Sequence, residues 1–431
     1  MKWLIKMVAA VVLGSACTSC SSDEDSGNGP INPNGERVFS PLTLTPAEVK
    51  LGVDIKKVGI GLFQAESEVN STAIAPKNTL VSPWNQYMFL AMLMNGANDS
   101  IQEKVMARQG ITSMEEMNAY MKRVTEYLMR ADARVNMSSF NGFWYDNNLS
   151  VSPSYESLLR DFYNAEVNTA DFGSLDGTYT VNAWGKKVTQ GYLDDFLQEE
   201  EGPFHKNYFL ASAMVFEGQW QKKFTRLNGA NEFHNLDGST VMVSMMNGEF
   251  SDANCYTTDR FSKTAIPYGN GAYSMNIILP VNGVTPTELL RENAETLFAD
   301  MEELRDRNGE NERWIDGGVS VTMPIMDLKA DATPNLAFVG AGYGSLLDRY
   351  IALEKMGECG TTGHYGLPDS VKSQIHVIIN EEGTKVISAT YSGMVTSPGR
   401  YWFNIDRPFI CYISEKSTNA IVFAAVINVL K

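Results

Sequence analysis

The 431-residue chain is poor in the residue types that carry chemistry. It has four histidines, at 205, 234, 364 and 376, and no two stand at metal-ligand spacing. There is no H-E-x-x-H and no G-x-S-x-G, and no C-x-x-C follows Cys20. Without a nucleophile–base pair or a metal signature the sequence describes no enzyme, and it calls for no cofactor or metal. Cysteine is scarce as well. Beyond Cys20 only Cys255, Cys359 and Cys411 remain, an odd and widely spaced set that excludes a disulfide framework. Cys359 and His364 stand in E-C-G-T-T-G-H, which reads as a glycine-rich surface loop. Positive charge is also in deficit, since 35 Lys and Arg face 51 Asp and Glu, for a net charge of −16. Phosphate binding needs a basic surface, so nucleic acid is excluded as a partner.

Hydrophobic residues, at 44%, are plentiful enough for a large core. The N-terminus stands apart from it. Lys2 and Lys6 precede the apolar run Met7–Leu13, which is too short to span a bilayer and reads as a secretion signal. Small residues then lead to Cys17 and Cys20, an arrangement that resembles a bacterial lipoprotein signal. Cys20 is the favoured lipidation site because Ser21-Ser22-Asp23-Glu24-Asp25 follows at once. Acidic residues in that place resemble the surface-export signal of Bacteroidetes lipoproteins. The resemblance implies a signal peptide at 1–19 and a lipidated tether at 20–45, flexible where Gly27–Asn34 reads G-N-G-P-I-N-P-N. It also implies membrane contact through the lipid and a place on the outer membrane, facing outward.

Periodicity maps the remainder. Ser82-Pro83 opens a helix, the serine as cap and the proline in the first turn, and Gly96 stops it. That helix is apolar all round and is expected at the centre of the core. Tyr155–Phe162 and Val181–Leu197 are further helices, the second with Val181, Trp184, Val188 and Tyr192 at helical spacing. Strands are expected at 138–145, 208–220, 274–279, 319–323 and 375–379. Phe233–Met246 reads as extended pieces about a D-G-S-T turn, and 409–414 with 420–429 as a closing hairpin. Helices come early and strands late with little alternation, which argues for an α+β fold with mainly antiparallel sheets.

One stretch fits neither core nor linker. Asn380–Thr384 reads N-E-E-G-T, and Arg407-Pro408-Phe409 stands downstream. Between them lies a segment of small and hydroxyl residues with no core pattern before Tyr401, an exposed loop tethered between strands. Other segments fall in a telling order: V-S-P-W-N-Q, G-A-N-D-S, V-N-A-W-G-K-K-V-T-Q-G, A-M-V-F-E-G-Q-W-Q-K-K-F, I-P-Y-G-N-G-A-Y-S-M-N-I-I-L-P and F-N-I-D-R-P-F-I-C-Y-I. Together they resemble the serpin family from about Pro46 to Lys431, with the loop at about 381–402.

The resemblance implies a monomeric suicide-substrate inhibitor whose partner is a target protease. It implies a five-stranded central sheet with a slot, and a loop that enters the slot once a protease has cut it. Glu381, Glu382, Gly383 and Thr384 form the hinge. Lys385–Thr390 then departs from the alanine run of inhibitory members, although no proline interrupts the ladder before Pro398. Val386 would face the sheet interior if Thr384 does. Family spacing puts the reactive bond at Ser397–Pro398. Proline obstructs cleavage there, so Thr396–Ser397 or Met394–Val395 are the working alternatives. These small or neutral residues point to elastase-like or subtilisin-like serine proteases, or to a cysteine protease. Where the sheet opens, the matching positions read Ser82, Asn85, Ser212 and Ser373, with Asn and Ser exchanged and the family's histidine replaced; a rewired polar cluster is expected. Ile325 stands where many members carry a lysine for the hinge glutamate. The competing reading is a non-inhibitory member that acts as a surface binding or carrier protein.

Overall fold

The computed structural model describes residues 38–71, 75–191, 197, 208–307, 309, 311–332, 335–347, 353–358, 373–384 and 401–431. The fold is α+β. Helix Pro83–Gly96 is buried along its whole length. The Ser82 hydroxyl accepts from the Asn85 N–H, as an N-cap should. Helices that sequence periodicity leaves unassigned pack around it, among them Pro46–Ser71 and Met114–Leu128. The 175–188 helix ends at Val188, earlier than its apolar spacing suggests, and Thr189 caps it. Chain order is set before Pro46 as well. Leu42 is buried, its N–H donates to the Ser417 hydroxyl, and the Thr43 carbonyl accepts from Arg123. Packed residues therefore reach back into the span expected as tether.

A seven-stranded sheet runs in the order 79–81, 421–427, 409–415, 273–280, 261–267, 255–257, 313–315, with every neighbour antiparallel. Strand Ile421–Ile427 is buried at all seven positions, which explains its unbroken apolar sequence. A four-stranded sheet joins Tyr401–Asn404, Val319–Pro324, Thr240–Phe250 and Thr225–His234.

The central sheet has six strands in the order Met326–Ala332, Ser373–Asn380, Gly383–Thr384, Tyr208–Gln219, Val135–Asp146, Ala165–Ala170. The five expected strands are present. The additional one is the two-residue piece Gly383–Thr384, so the top of the expected slot is occupied.

Candidate functional site: the hinge and the slot in the central sheet

Strand Ser373–Asn380 turns on Glu381-Glu382 and re-enters the sheet. Gly383 lies opposite Asn380 on one side and Gln219 on the other, and Thr384 lies opposite Ile379 and Gly218. The turn is held from within by the Asn380 Oδ1, which accepts from the N–H groups of Glu382 at 3.0 Å and Gly383 at 3.3 Å. It is held from outside by the N–H groups of Phe224 and Trp220, which donate to the carbonyls of Glu381 and Glu382 at 3.0 and 3.1 Å. Gly383 is required here by close approach: a Cβ would fall 2.0 Å from the Gly218 carbonyl oxygen.

Thr384 points inward and is 1% exposed. Its hydroxyl shares a 2.7 Å hydrogen bond with the Tyr268 hydroxyl. Burial pushes the Tyr268 phenol well above its ordinary pKa, so it stays protonated and able to donate. Tyr268 in turn stacks on Trp220, with ring centroids 4.3 Å apart, and the Trp220 indole N–H donates to the Asn380 carbonyl at 2.8 Å. Glu382 is buried and forms an ion pair with Lys223. With Ile325 at the position where relatives carry a lysine, the cation comes instead from just past the Tyr208–Gln219 strand. Lys223, Trp220 and Tyr268 lie inside the segments that carry the family resemblance, but nothing in their spacing ties them to the hinge.

The two strands that flank Gly383–Thr384 are paired on their far sides as well. Strand Ser373–Asn380 pairs with Met326–Ala332 on its far side, and Tyr208–Gln219 pairs with Val135–Asp146 on its far side. Among the described residues no ladder joins Ser373–Ile378 to Tyr208–Glu217. The strand line that Gly383 and Thr384 begin runs between Ser373–Asn380 and Tyr208–Gln219. Lys385–Thr390 and the reactive-bond candidates Met394, Thr396, Ser397 and Pro398 lie outside the described residues, as do Cys17, Cys20 and Cys359.

The expected polar cluster divides into two short chains. In one, the Ser139 hydroxyl donates to the Asn85 Oδ1 at 3.2 Å, while the Ser82 hydroxyl caps the helix and donates to the Met214 sulfur at 3.5 Å. In the other, the Ser212 hydroxyl donates to the Asn141 Oδ1 at 2.7 Å, and the Asn141 amide donates to the Tyr163 carbonyl at 2.7 Å. The two meet at Met88, whose sulfur accepts from Asn141 at 3.0 Å and from Ser139 at 3.8 Å. Ser373 lies in its strand opposite Ala332; its side chain lies outside the described residues. Ser139 and Asn141, on the neighbouring strand, supply the partners that sequence reasoning missed. They lie in the predicted strand Ser138–Tyr145, but only the register brings them to Asn85 and Ser212.

The family model for "Serpin (serine protease inhibitor)" matches residues 55–429. The chain belongs to the serpin family. Serpin-ZX of Arabidopsis thaliana is 26% identical over 373 residues, covering 82% of this chain and 93% of that protein. Iripin-3 of Ixodes ricinus is 25% identical over 370 residues, covering 82% and 89%. Among solved structures, the thermophilic serpin tengpin in its native state has a TM-score of 0.74 at 20% identity, covering 92% of this serpin and 97% of that chain. Thyroxine-binding globulin in complex with thyroxine has a TM-score of 0.71 at 18% identity, covering 89% and 99%. At such identities the structural likeness concerns the fold.

Proposed function

We propose that this serpin inhibits proteases as a suicide substrate, by acyl-enzyme trapping coupled to loop insertion. The observation that supports the reading best is the seat of Thr384. The last two hinge residues, Gly383 and Thr384, already occupy sheet positions, laddered on both sides, and the strand they begin points along the line between Ser373–Asn380 and Tyr208–Gln219. Insertion then needs no new nucleation; it extends an existing strand. About a dozen residues would each gain ladder hydrogen bonds worth about 0.5–1.5 kcal/mol net, before any side-chain burial is added. Such a gain suffices to move a bound protease, and displacing catalytic groups by about 1 Å already costs most of the rate.

The target is an elastase-like or subtilisin-like serine protease, or a cysteine protease, because Met394, Thr396 and Ser397 are small or neutral. The protein acts as a monomer at the outer membrane, anchored through a lipid on Cys20 and facing outward. Incubation with pancreatic elastase is expected to give an adduct that survives denaturant. Cleavage of the loop with no adduct from elastase, subtilisin, trypsin or papain would refute inhibition. The fold likeness to thyroxine-binding globulin supports a second reading, a carrier on the same scaffold. Heating separates the two, since a carrier gains no stability when its loop is cut. Metabolic labelling with radioactive palmitate tests the anchor: label should reach the wild-type protein and be lost in Cys20→Ala.

A further inference from the structure

Away from the loop, a groove of about 1010 Å³ opens between the end of helix Pro46–Ser71, strand Met326–Ala332, the 235–243 hairpin and residues 429–431. Its volume is at the upper end of the roughly 300–1,000 Å³ typical of ligand pockets. Leu80, Val243 and Met326 form a buried apolar wall, continued by half-buried Val241, Ile325 and Leu328.

Glu66 lines this groove, and its side chain is unlike the other polar groups there. The residue is 5% exposed, yet among the described residues it has no hydrogen-bond or ion-pair partner. Glu68, two positions on, is held by Arg291. The neighbouring amides of the groove are engaged as well. Asn70 donates to Thr79, Asn78 to the Val429 carbonyl, and Asn235 to the Leu430 carbonyl. Lys77, Lys329 and Lys431 lie exposed on the rim. Burial pushes the Glu66 carboxyl above its ordinary range, and nothing nearby offsets the cost. A buried, unpaired carboxylate is expensive, and a bound cation would remove the penalty. Two other carboxylates line the groove, but both are exposed and engaged, Asp237 by Ser239 and Asp327 by His376, so Glu66 is its one buried carboxylate; one such group beside an apolar wall suits an organic cation better than a hard metal ion, which takes six or more oxygens.

We propose that this groove binds a small organic cation, with its ammonium or amidinium on Glu66 and its apolar body against Leu80, Val243 and Met326. The site stands apart from the inhibitor reading, and neither depends on the other. Three indole probes differing in charge test it on the full, uncleaved chain by titration calorimetry: tryptamine, the neutral tryptophol, and indole-3-acetate. Tryptamine should bind saturably, one per chain and below millimolar, with tryptophol and indole-3-acetate at least tenfold weaker. Glu66→Gln should weaken tryptamine at least tenfold and leave tryptophol unchanged. With methyl-labelled methionine, the Met326 resonance, assigned through Met326→Leu, should shift on adding tryptamine. That readout uses the wild-type protein and holds even if the Gln variant misfolds. No saturable tryptamine binding, equal binding of tryptophol, equal binding by Glu66→Gln, or an unmoved Met326 signal would each overturn the proposal.

Discussion

The central sheet and the seven-stranded sheet are built from similar residues and reach opposite states. In the seven-stranded sheet each strand is paired with its neighbours in an unbroken antiparallel order, and Ile421–Ile427 is fully buried. In the central sheet the described residues place Gly383 and Thr384, and nothing more, between two long strands. The first sheet has nothing left to gain, whereas the second is where the proposed loop insertion would add a strand. Buried backbone groups normally find partners, so under the proposed mechanism a longer strand beginning at Gly383–Thr384 would be favourable.

The sharpest way to break this comparison is to block the added strand. Thr384→Arg puts a charge where the residue is 1% exposed, at a burial cost of several kcal/mol. Loop cleavage by elastase should persist while the trapped adduct disappears; an adduct at wild-type yield would show that Thr384 need not enter the sheet. Next in size is the effect of the cut itself. About ten new ladder bonds at about 1 kcal/mol each, on an unfolding entropy of about 2 cal/mol/K per residue, correspond to a Tm at least about 10 °C higher after cleavage. Calorimetry of the cut and uncut protein reads it, and equal values would mean that no strand is added.

The closed sheet offers its own test. Lys263 is fully buried, and its ammonium donates to the carbonyls of Leu297 and Ala299 at 2.9 and 2.5 Å and to the Tyr412 hydroxyl at 2.9 Å. Burial first, and then the charge of Lys56, lower its pKa to about 7, against the opposing pull of Asp300 and Glu303. The folded form therefore sheds a proton that the unfolded chain keeps up to about pH 10. Stability from this group rises with pH from about 7, by at most about 1.4 kcal/mol per unit. Lys263→Met should flatten that slope between pH 7 and 9, measured by urea denaturation of the uncut protein; an unchanged slope would place the effect elsewhere. The smallest effect belongs to Asn85→Ala. Losing the Ser139 contact should cost about 1 kcal/mol and speed spontaneous loop insertion on mild heating. If neither changes, the polar chain at Met88 has no part in holding the sheet.

Much of the scaffold is legible in the residues. The Pro83–Gly96 helix with apolar residues on every face, its serine cap and the closing hairpin each follow from a local pattern that burial then enforces, while the hinge role of N-E-E-G-T comes from the family resemblance. Thr384 faces inward, which is the condition under which alternation would turn Val386 inward as well; Val386 itself lies outside the described residues. Other elements leave a weaker trace. Thr79–Val81 and Gly383–Thr384 are too short for periodicity to detect, and both are strands only because longer neighbours recruit them. The Glu382–Lys223 pair joins residues far apart in the chain and carries no spacing signal.

By itself the amino-acid order determined which segments are apolar enough to be buried, where helices are capped, and that one loop carries a glycine–threonine hinge without proline. These are short-range matters, settled by side-chain chemistry within a few residues. Only the tertiary structure decided that Gly383 must be glycine because Gly218 crosses it at close range. It also decided that Tyr268 receives Thr384, and that Glu66 faces a groove without a partner. Each of those depends on strand register and packing between distant segments, which no local pattern encodes.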